Sequence, residues 1–155
     1  MAREPHLLPV DSDIDLGIPA QRTETHWPVV VSVSAGGALG ALARYGIGHV
    51  WPTPPGSFPW ATFVINVTGC LLIGALMVLV TEIFTRQRLL RPFLGVGVLG
   101  GYTTFSTYSV EIRNLIVAGA PGTAAAYLLA TLAAALVAVF AGMTVARMVT
   151  WLVTA

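Results

Sequence analysis

The sequence predicts an all-α membrane protein with four transmembrane helices, the third of them broken near its centre. Hydrophobic residues make up 55% and charged residues 10% of the 155 positions, against about 25% charged residues in soluble proteins. Apolar stretches, each close to the roughly 20 residues that cross a bilayer as a helix, occur at 27–49, 58–80, 89–110 and 123–148. Indole rings favour the headgroup level, and the tryptophans lie at the ends of these stretches: Trp27, Trp51, Trp60 and Trp151.

The first 26 residues differ from the rest of the chain. They hold five of the seven acidic side chains, several prolines and no apolar run, a composition that buries too little apolar surface to fold. They also lack the basic start and the apolar stretch of a secretory signal. We therefore predict a disordered polar tail at 1–26 and a four-helix transmembrane domain at 27–155.

The first two spans carry small and polar residues that a lipid-facing helix does not need. Gly36 and Gly40 have the small-xxx-small spacing that lets two helices approach closely in a membrane. Asn66 lies inside the second span, where an amide must find hydrogen-bond partners. Its position indicates either a contact between helices or a donor that faces an ion path.

All eight basic residues are arginines, and their distribution is uneven. Four spans place both termini on one side of the membrane. Five arginines flank the membrane on that side, namely Arg22, Arg86, Arg88, Arg91 and Arg147. Arg44 and Arg113 lie on the opposite side. The positive-inside rule then predicts cytoplasmic termini.

The third span contains the most unusual stretch of the chain, Gly100-Gly101-Tyr102-Thr103-Thr104-Phe105-Ser106-Thr107-Tyr108. Glycines and hydroxyl groups are tolerated at membrane depth where protein or a polar cavity surrounds them. We predict a helix that is broken at Gly100-Gly101, and carbonyl oxygens freed by such a break can coordinate a hard cation. Unwinding without an ion is the alternative.

Neutral hydrogen-bonding side chains recur in the second, third and fourth spans. They are Thr62, Asn66, Thr103, Thr104, Ser106, Thr107, Tyr108, Tyr127 and Thr131. Amide and hydroxyl groups donate to anions, and aromatic ring edges carry partial positive charge. No charged side chain lies near a span centre, so the pattern indicates a path for a small anion. A satisfied polar contact between packed helices is the alternative that spacing alone leaves open.

The sequence lacks the residue patterns that several classes of function require. No Ser–His–Asp, paired-carboxylate or metal-ligand pattern appears, so we expect no enzyme. The stretch Gly95-Val96-Gly97-Val98-Leu99-Gly100 fits a dinucleotide-binding pattern in letters only, because no strand–helix unit surrounds it. A net charge of +1 gives no electrostatic basis for nucleic acid binding.

Three motifs carry a family resemblance. They are Gly36-Gly37-Ala38-Leu39-Gly40-Ala41-Leu42-Ala43-Arg44-Tyr45, Thr62-Phe63-Val64-Ile65-Asn66-Val67-Thr68-Gly69, and the Gly100–Tyr108 stretch followed by Glu111. With them the chain resembles the small bacterial fluoride channels, the Fluc or CrcB family. The resemblance implies an inner-membrane channel that exports fluoride passively, built as an antiparallel, dual-topology homodimer with two pores. It also implies a structural sodium ion at the dimer centre, held by main-chain carbonyls of Gly100 and Thr103.

The resemblance assigns roles to further residues. The fluoride pore would be lined by Asn66, Phe105, Tyr108, Ser106, Thr107, Tyr127, Thr131 and Thr62. Arg44 and Glu111 would be structural. The chain departs from the family pattern at Tyr108, where Phe is usual, and at Ala135, which lacks the last hydroxyl of the fourth helix.

Two other functions are compatible with parts of the sequence. The uneven arginines suit a subunit of fixed orientation, so the partner of this chain could be an oppositely oriented paralogue in a heteromeric channel. A small four-span drug–proton antiporter has the same size, but it requires a carboxylate in the membrane. The first three predicted spans hold no Asp or Glu near their centres, and the fourth holds none.

Overall fold

The computed structural model describes residues 27–84 and 87–154, and the predicted polar tail lies outside them. The described residues form helices and contain no strand, as expected for an all-α protein. In chain order the elements are α1 (Trp27–Val50), α2 (Trp60–Glu82), a π-helix π1 (Arg91–Leu99), α3 (Gly100–Tyr102), α4 (Ser106–Val117) and α5 (Pro121–Thr154).

The long helices coincide with the predicted apolar stretches. Among the described residues, Trp27–Val50, Trp60–Glu82 and Pro121–Leu152 are long and apolar enough to cross a membrane, which makes the chain a multi-pass membrane protein. The remaining predicted span is divided. It consists of π1 and α3 on one side of a break and α4 on the other.

The break lies later in the chain than the glycines predict. Gly100 has helical dihedral angles (φ −64°, ψ −37°), and the backbone first becomes extended at Thr103 (ψ 159°). The prediction of a break at Gly100-Gly101 is therefore wrong by two to three residues, since the helix continues to Tyr102. Gly101 serves close packing instead, because a Cβ there would collide with the backbone of Gly37.

Helix α1 packs mainly on π1 and α3 through glycines. A Cβ on Gly36 would meet the carbonyl oxygen of Phe93, and one on Gly40 would meet that of Val98. The small-xxx-small spacing therefore brings the two backbones into direct contact, as predicted. This contact fixes the position of the segment that leads into the break.

Helix α2 packs mainly on α5, again through glycines. Gly74 of α2 lies against the backbone of Val139, and Gly142 of α5 lies against the backbone of Leu71. One end of this pair is filled by an aromatic cluster around Tyr127, which is completely buried. The break is thus held between the α1 side and the α2–α5 pair.

Candidate functional site

The side chain of Asn66 holds the backbone of the break. Its Nδ2 donates to the carbonyl oxygen of Thr104 (2.9 Å), and its Oδ1 accepts from the N–H of Thr104 (2.9 Å). The amide therefore pairs with both backbone groups of one unwound residue. This satisfies polar groups that a break would otherwise leave unpaired in the membrane.

The hydroxyl of Thr104 starts the helix that follows the break. Thr104 Oγ1 accepts from the N–H of Thr107 (3.1 Å), as a side-chain cap does at a helix N-terminus. The same hydroxyl donates to Thr107 Oγ1 (3.0 Å) and lies 3.3 Å from Ser106 Oγ. Because the single proton of Thr104 goes to Thr107, the Ser106 hydroxyl is the donor in the remaining pair.

The side chains of Asn66 and Thr104 accept hydrogen bonds from two backbone N–H groups that would otherwise take part in a continuous helix. In an α-helix the N–H of Thr104 would bond to the carbonyl of Gly100, and the N–H of Thr107 to that of Thr103. Here the first N–H bonds to Asn66 and the second to the Thr104 hydroxyl. The carbonyl oxygens of Gly100 and Thr103 therefore lose their regular helical donors.

A cavity of about 600 Å³ lies beside the break, and we call it the central cavity. Its wall includes the predicted site residues Asn66, Gly100, Thr103, Phe105, Tyr108 and Thr131, and also Ala135. Thr131 is 6% exposed, and its Oγ1 is the buried side-chain polar atom without a hydrogen-bond partner among the described residues. A buried hydroxyl without a partner is costly, so this one is suited to a ligand or water in the cavity.

A second cavity, of about 520 Å³, lies on the other side of Thr104, and we call it the outer cavity. Thr104 contributes to the walls of both cavities. Predicted site residues Thr62 and Thr107 line the outer cavity, together with the two predicted structural residues, Arg44 and Glu111. The predicted single lining is therefore divided between two cavities that share Thr104, and Ser106 and Tyr127 contribute to neither wall.

Glu111 joins three elements through hydrogen bonds. Its Oε1 accepts from Thr62 Oγ1 of α2 (2.8 Å), and its Oε2 accepts from Tyr127 OH of α5 (2.7 Å). Both hydroxyl protons point at the carboxylate and are not offered to an ion in either cavity. Tyr127 is also 0% exposed and packs edge-on against Phe58.

The other predicted structural residue, Arg44, bonds to the third segment. Its Nε donates to the carbonyl of Gly101 (3.1 Å), next to the break. This carbonyl thereby gains a charged donor, and charge-assisted hydrogen bonds are about twice as strong as neutral ones. Arg44 thus connects the end of α1 to the last helical turn before the unwound residues.

Donors for an anion remain on both sides of the break. Asn66 has a second amide hydrogen beyond the one that it gives to Thr104. Thr131, a wall residue of the central cavity, has a buried hydroxyl without a partner, and Thr107, which accepts from Thr104, keeps its own proton and lines the outer cavity. Neutral donors in a mostly apolar wall suit a small anion.

The two predicted pore aromatics are neighbours in space. The ring centroids of Phe105 and Tyr108 are 5.9 Å apart. Phe105 is 79% exposed in the single subunit, whereas Tyr108 packs edge-on against Tyr127 and donates its hydroxyl to the carbonyl of Leu128 (2.8 Å). The two rings therefore have different surroundings despite their shared helix face.

Thr104 is among the hydrogen-bonding residues of the predicted path, but its role at the break was not predicted from the sequence. It pairs with Asn66 through its backbone and caps α4 through its side chain. The available signal was its place as the second threonine of Thr103-Thr104, directly ahead of Phe105. Hydroxyl residues are preferred at helix N-termini, so this position could have been chosen as the start of α4.

Comparison with known proteins agrees with the three motifs. The family model described as "CrcB-like protein, Camphor Resistance (CrcB)" matches residues 31–143. The fluoride-specific ion channel FluC 2 of Nocardia farcinica is 59% identical over 122 residues, which cover 79% of this chain and 87% of that protein. FluC 1 of Streptomyces coelicolor is 53% identical over 125 residues, covering 81% of each chain. FluC of Rhodospirillum centenum is 43% identical over 123 residues, covering 77% of this chain and 95% of that protein.

Proposed function

Because the chain belongs to the CrcB family, whose relatives named above are fluoride-specific ion channels, we propose that it conducts fluoride passively across the bacterial inner membrane. The observation that carries the proposal is the unpartnered Thr131 hydroxyl in the wall of the central cavity. Fluoride must exchange its hydration shell for donors, and this cavity offers Thr131 together with the second amide hydrogen of Asn66. Thr107 supplies a donor on the outer side of the break.

The working unit that we propose is an antiparallel dimer of four-span subunits with two pores. The polar break beside Phe105, whose ring is 79% exposed in the single subunit, supports it, because unwound backbone at membrane depth needs protein and not lipid around it. The division of the third segment at Thr103 supports a fourth crossing, since π1 and α3 approach the break from one side and α4 leaves on the other. Such broken helices are tolerated where protein surrounds them.

The proposed dimer holds a structural sodium ion on main-chain carbonyls. The carbonyl oxygens of Gly100 and Thr103 fit this role, because the N–H groups that would bond to them in a helix bond elsewhere. A hard cation favours such oxygen ligands. When bound, sodium supplies positive charge that offsets the partial negative charge of the carbonyls and fixes the unwound backbone.

A drug–proton antiporter is the alternative from another class. Its mechanism requires a carboxylate that exchanges protons with a cationic substrate. Among the described residues, the acidic side chains are Glu82, at the end of α2, and Glu111. Glu111 accepts hydrogen bonds from Thr62 and Tyr127, which favours a structural role over proton exchange.

A heteromeric fluoride channel is the second candidate, and the arginine distribution favours it. Five arginines lie near the membrane on the proposed cytoplasmic side and two on the other. A subunit that inserts in both orientations needs no such bias. A paralogue of opposite orientation would then supply the second half of the dimer.

The test is fluoride efflux from liposomes that contain the purified chain, followed with a fluoride electrode and with chloride as the control ion. We expect fast fluoride efflux without chloride leak from this chain alone. Thr131→Val removes the free hydroxyl at nearly constant shape and should slow efflux at least about tenfold, the equivalent of about 1.4 kcal/mol. Thr144→Val is the matched control, because Thr144 lies on the same helix and bonds to the carbonyl of Phe140.

The outcomes separate the candidates. No efflux from a folded preparation would contradict the homodimer, and restored efflux after co-expression with a paralogue would establish the heteromer. Transport of organic cations coupled to a proton gradient would contradict the channel itself. Crosslinking of the chain expressed alone would test whether it forms an antiparallel homodimer.

A further inference from the structure

The phenol of Tyr108 connects α4 to α5, two of the elements that border the central cavity. Tyr108 lies in the first turn of α4, and its hydroxyl donates to the carbonyl oxygen of Leu128 on α5 at 2.8 Å. Both residues contribute to the wall of the central cavity. A phenylalanine at this position could not make the bond, so the contact depends on the departure from the family pattern.

The hydrogen bond commits the only proton that the phenol has. The carbonyl of Leu128 lies inside a regular helix, where residue 132 is its usual donor, and its second lone pair can accept from Tyr108. A hydroxyl that donates to a carbonyl has no second hydrogen for an anion in the cavity. The extra polar group of Tyr108 is therefore used for protein structure.

Two contacts set the orientation of the Tyr108 ring. At its hydroxyl end the ring is tied to α5, and its side packs against Tyr127 with centroids 5.1 Å apart and an interplanar angle of 61°. The exposed ring of Phe105 lies 5.9 Å away. Tyr127 is itself fixed by complete burial and by its bond to Glu111, so the ring of Tyr108 rests on a rigid neighbour.

We propose that the hydroxyl of Tyr108 is a positioning group, which ties the pore ring to α5 so that its edge, and not its hydroxyl, faces the ion. This inference rests on the proposed fluoride path through the central cavity. Ring edges carry partial positive charge, and their contribution to an anion site depends on orientation.

Tyr108→Phe separates the two possible roles of the hydroxyl in a flux measurement. Efflux is measured in liposomes over a range of fluoride concentrations, which gives a maximal rate and a half-saturating concentration. A lost tether should lower the maximal rate about fivefold, the equivalent of a net hydrogen bond of about 1 kcal/mol, with an unchanged half-saturating concentration. An unchanged maximal rate, or a half-saturating concentration raised about tenfold or more as for a lost ion contact, would overturn the proposal. Tyr102→Phe is the control for loss of a phenol hydroxyl, because that group pairs with Thr68.

A spectroscopic readout makes the test independent of transport. The tyrosine doublet in ultraviolet resonance Raman spectra reports whether a phenol donates a hydrogen bond, and the difference between the wild type and Tyr108→Phe isolates the signal of this residue. We expect a donor signature that does not change when sodium fluoride replaces sodium chloride. A signature that changes with fluoride would overturn the tether and leave the channel standing. A constant donor signature without any fluoride efflux would instead contradict the proposed function and keep the tether.

Discussion

The amide of Asn66 pairs with both backbone groups of Thr104, through hydrogen bonds of 2.9 Å in each direction. The two residues are 38 positions apart, so the pair connects α2 to the break. It also takes the N–H that would otherwise extend the helix through Gly100. One side chain in the wall of the central cavity therefore helps to keep the third segment broken and retains a second amide hydrogen.

Removal of this amide should affect stability and transport together. We expect Asn66→Ala to lower the free energy of unfolding by about 1–3 kcal/mol, because the backbone of Thr104 loses both partners. Thermal unfolding in detergent measures the first effect, and liposome efflux should fall to background. Thr81→Ala is the control, because the Thr81 hydroxyl bonds to carbonyls of its own helix. If Asn66→Ala had wild-type stability, the two hydrogen bonds between Asn66 and Thr104 would not stabilise the break.

Phe105 should be essential for transport and dispensable for folding of the subunit. Its ring is 79% exposed and lines the central cavity, so Phe105→Ile keeps apolar bulk while it removes the ring edge. We expect fluoride efflux to be lost while the protein elutes as a folded dimer. Phe140→Ile is the matched control, since Phe140 is also largely exposed, at 66%, on α5. Full conduction by Phe105→Ile would mean that the ion path lies elsewhere.

The spans could be predicted from sequence because hydropathy is a local property. The predicted stretches 27–49 and 58–80 agree closely with Trp27–Val50 and Trp60–Glu82. The position of the break could not be read locally, because Gly100 and Gly101 are compatible with either a bend or close packing. Their helical state depends on α1, whose Gly37 lies against Gly101.

The sequence could supply candidate site residues but not their arrangement. Asn66 and Thr131 line one cavity with the two predicted pore aromatics, Phe105 and Tyr108. Thr62 and Tyr127 have the same residue chemistry, yet their hydroxyls donate to Glu111. Which hydroxyl is committed depends on the tertiary placement of a carboxylate 49 positions from Thr62, and spacing along the chain does not contain that information.

Glu111 should contribute to stability through its two acceptor oxygens. Glu111→Ala leaves the hydroxyl of the completely buried Tyr127 without its acceptor, which should cost about 1–3 kcal/mol of unfolding free energy. Glu111→Gln keeps one carbonyl oxygen for Tyr127, and its amide can donate to the Thr62 hydroxyl, so most of the stability should remain. Thermal unfolding of the two variants side by side is the measurement. Equal losses in both would show that the charge matters more than the hydrogen bonds.

Sodium should act through the backbone at Thr103 and not through its side chain. The hydroxyl and the N–H of Thr103 both donate to the carbonyl of Leu99. Thr103→Ser keeps both donors and the carbonyl, so dimer formation should depend on sodium as in the wild type. Thr103→Pro removes the N–H and should prevent assembly. Size-exclusion chromatography in sodium and in a large organic cation gives the readout, and sodium-independent dimers of the wild type would contradict the site.

Two glycines of α1 offer a matched test of the packing that positions the break. A Cβ on Gly40 would collide with the backbone of Val98, whereas a Cβ on Gly46 would meet nothing within 4 Å. Alanine is favoured over glycine inside a helix by about 1 kcal/mol, so Gly46→Ala should leave stability equal or higher. Gly40→Ala must push α1 away from the third segment and should lower both the melting temperature and fluoride efflux. The bond from Arg44 to Gly101 would lengthen with that shift, because both ends belong to the separated elements. If the two alanine variants behaved alike, α1 would not hold the segment before the break, and the position of the unwound residues would have to depend on Asn66 and on the Thr104 hydroxyl.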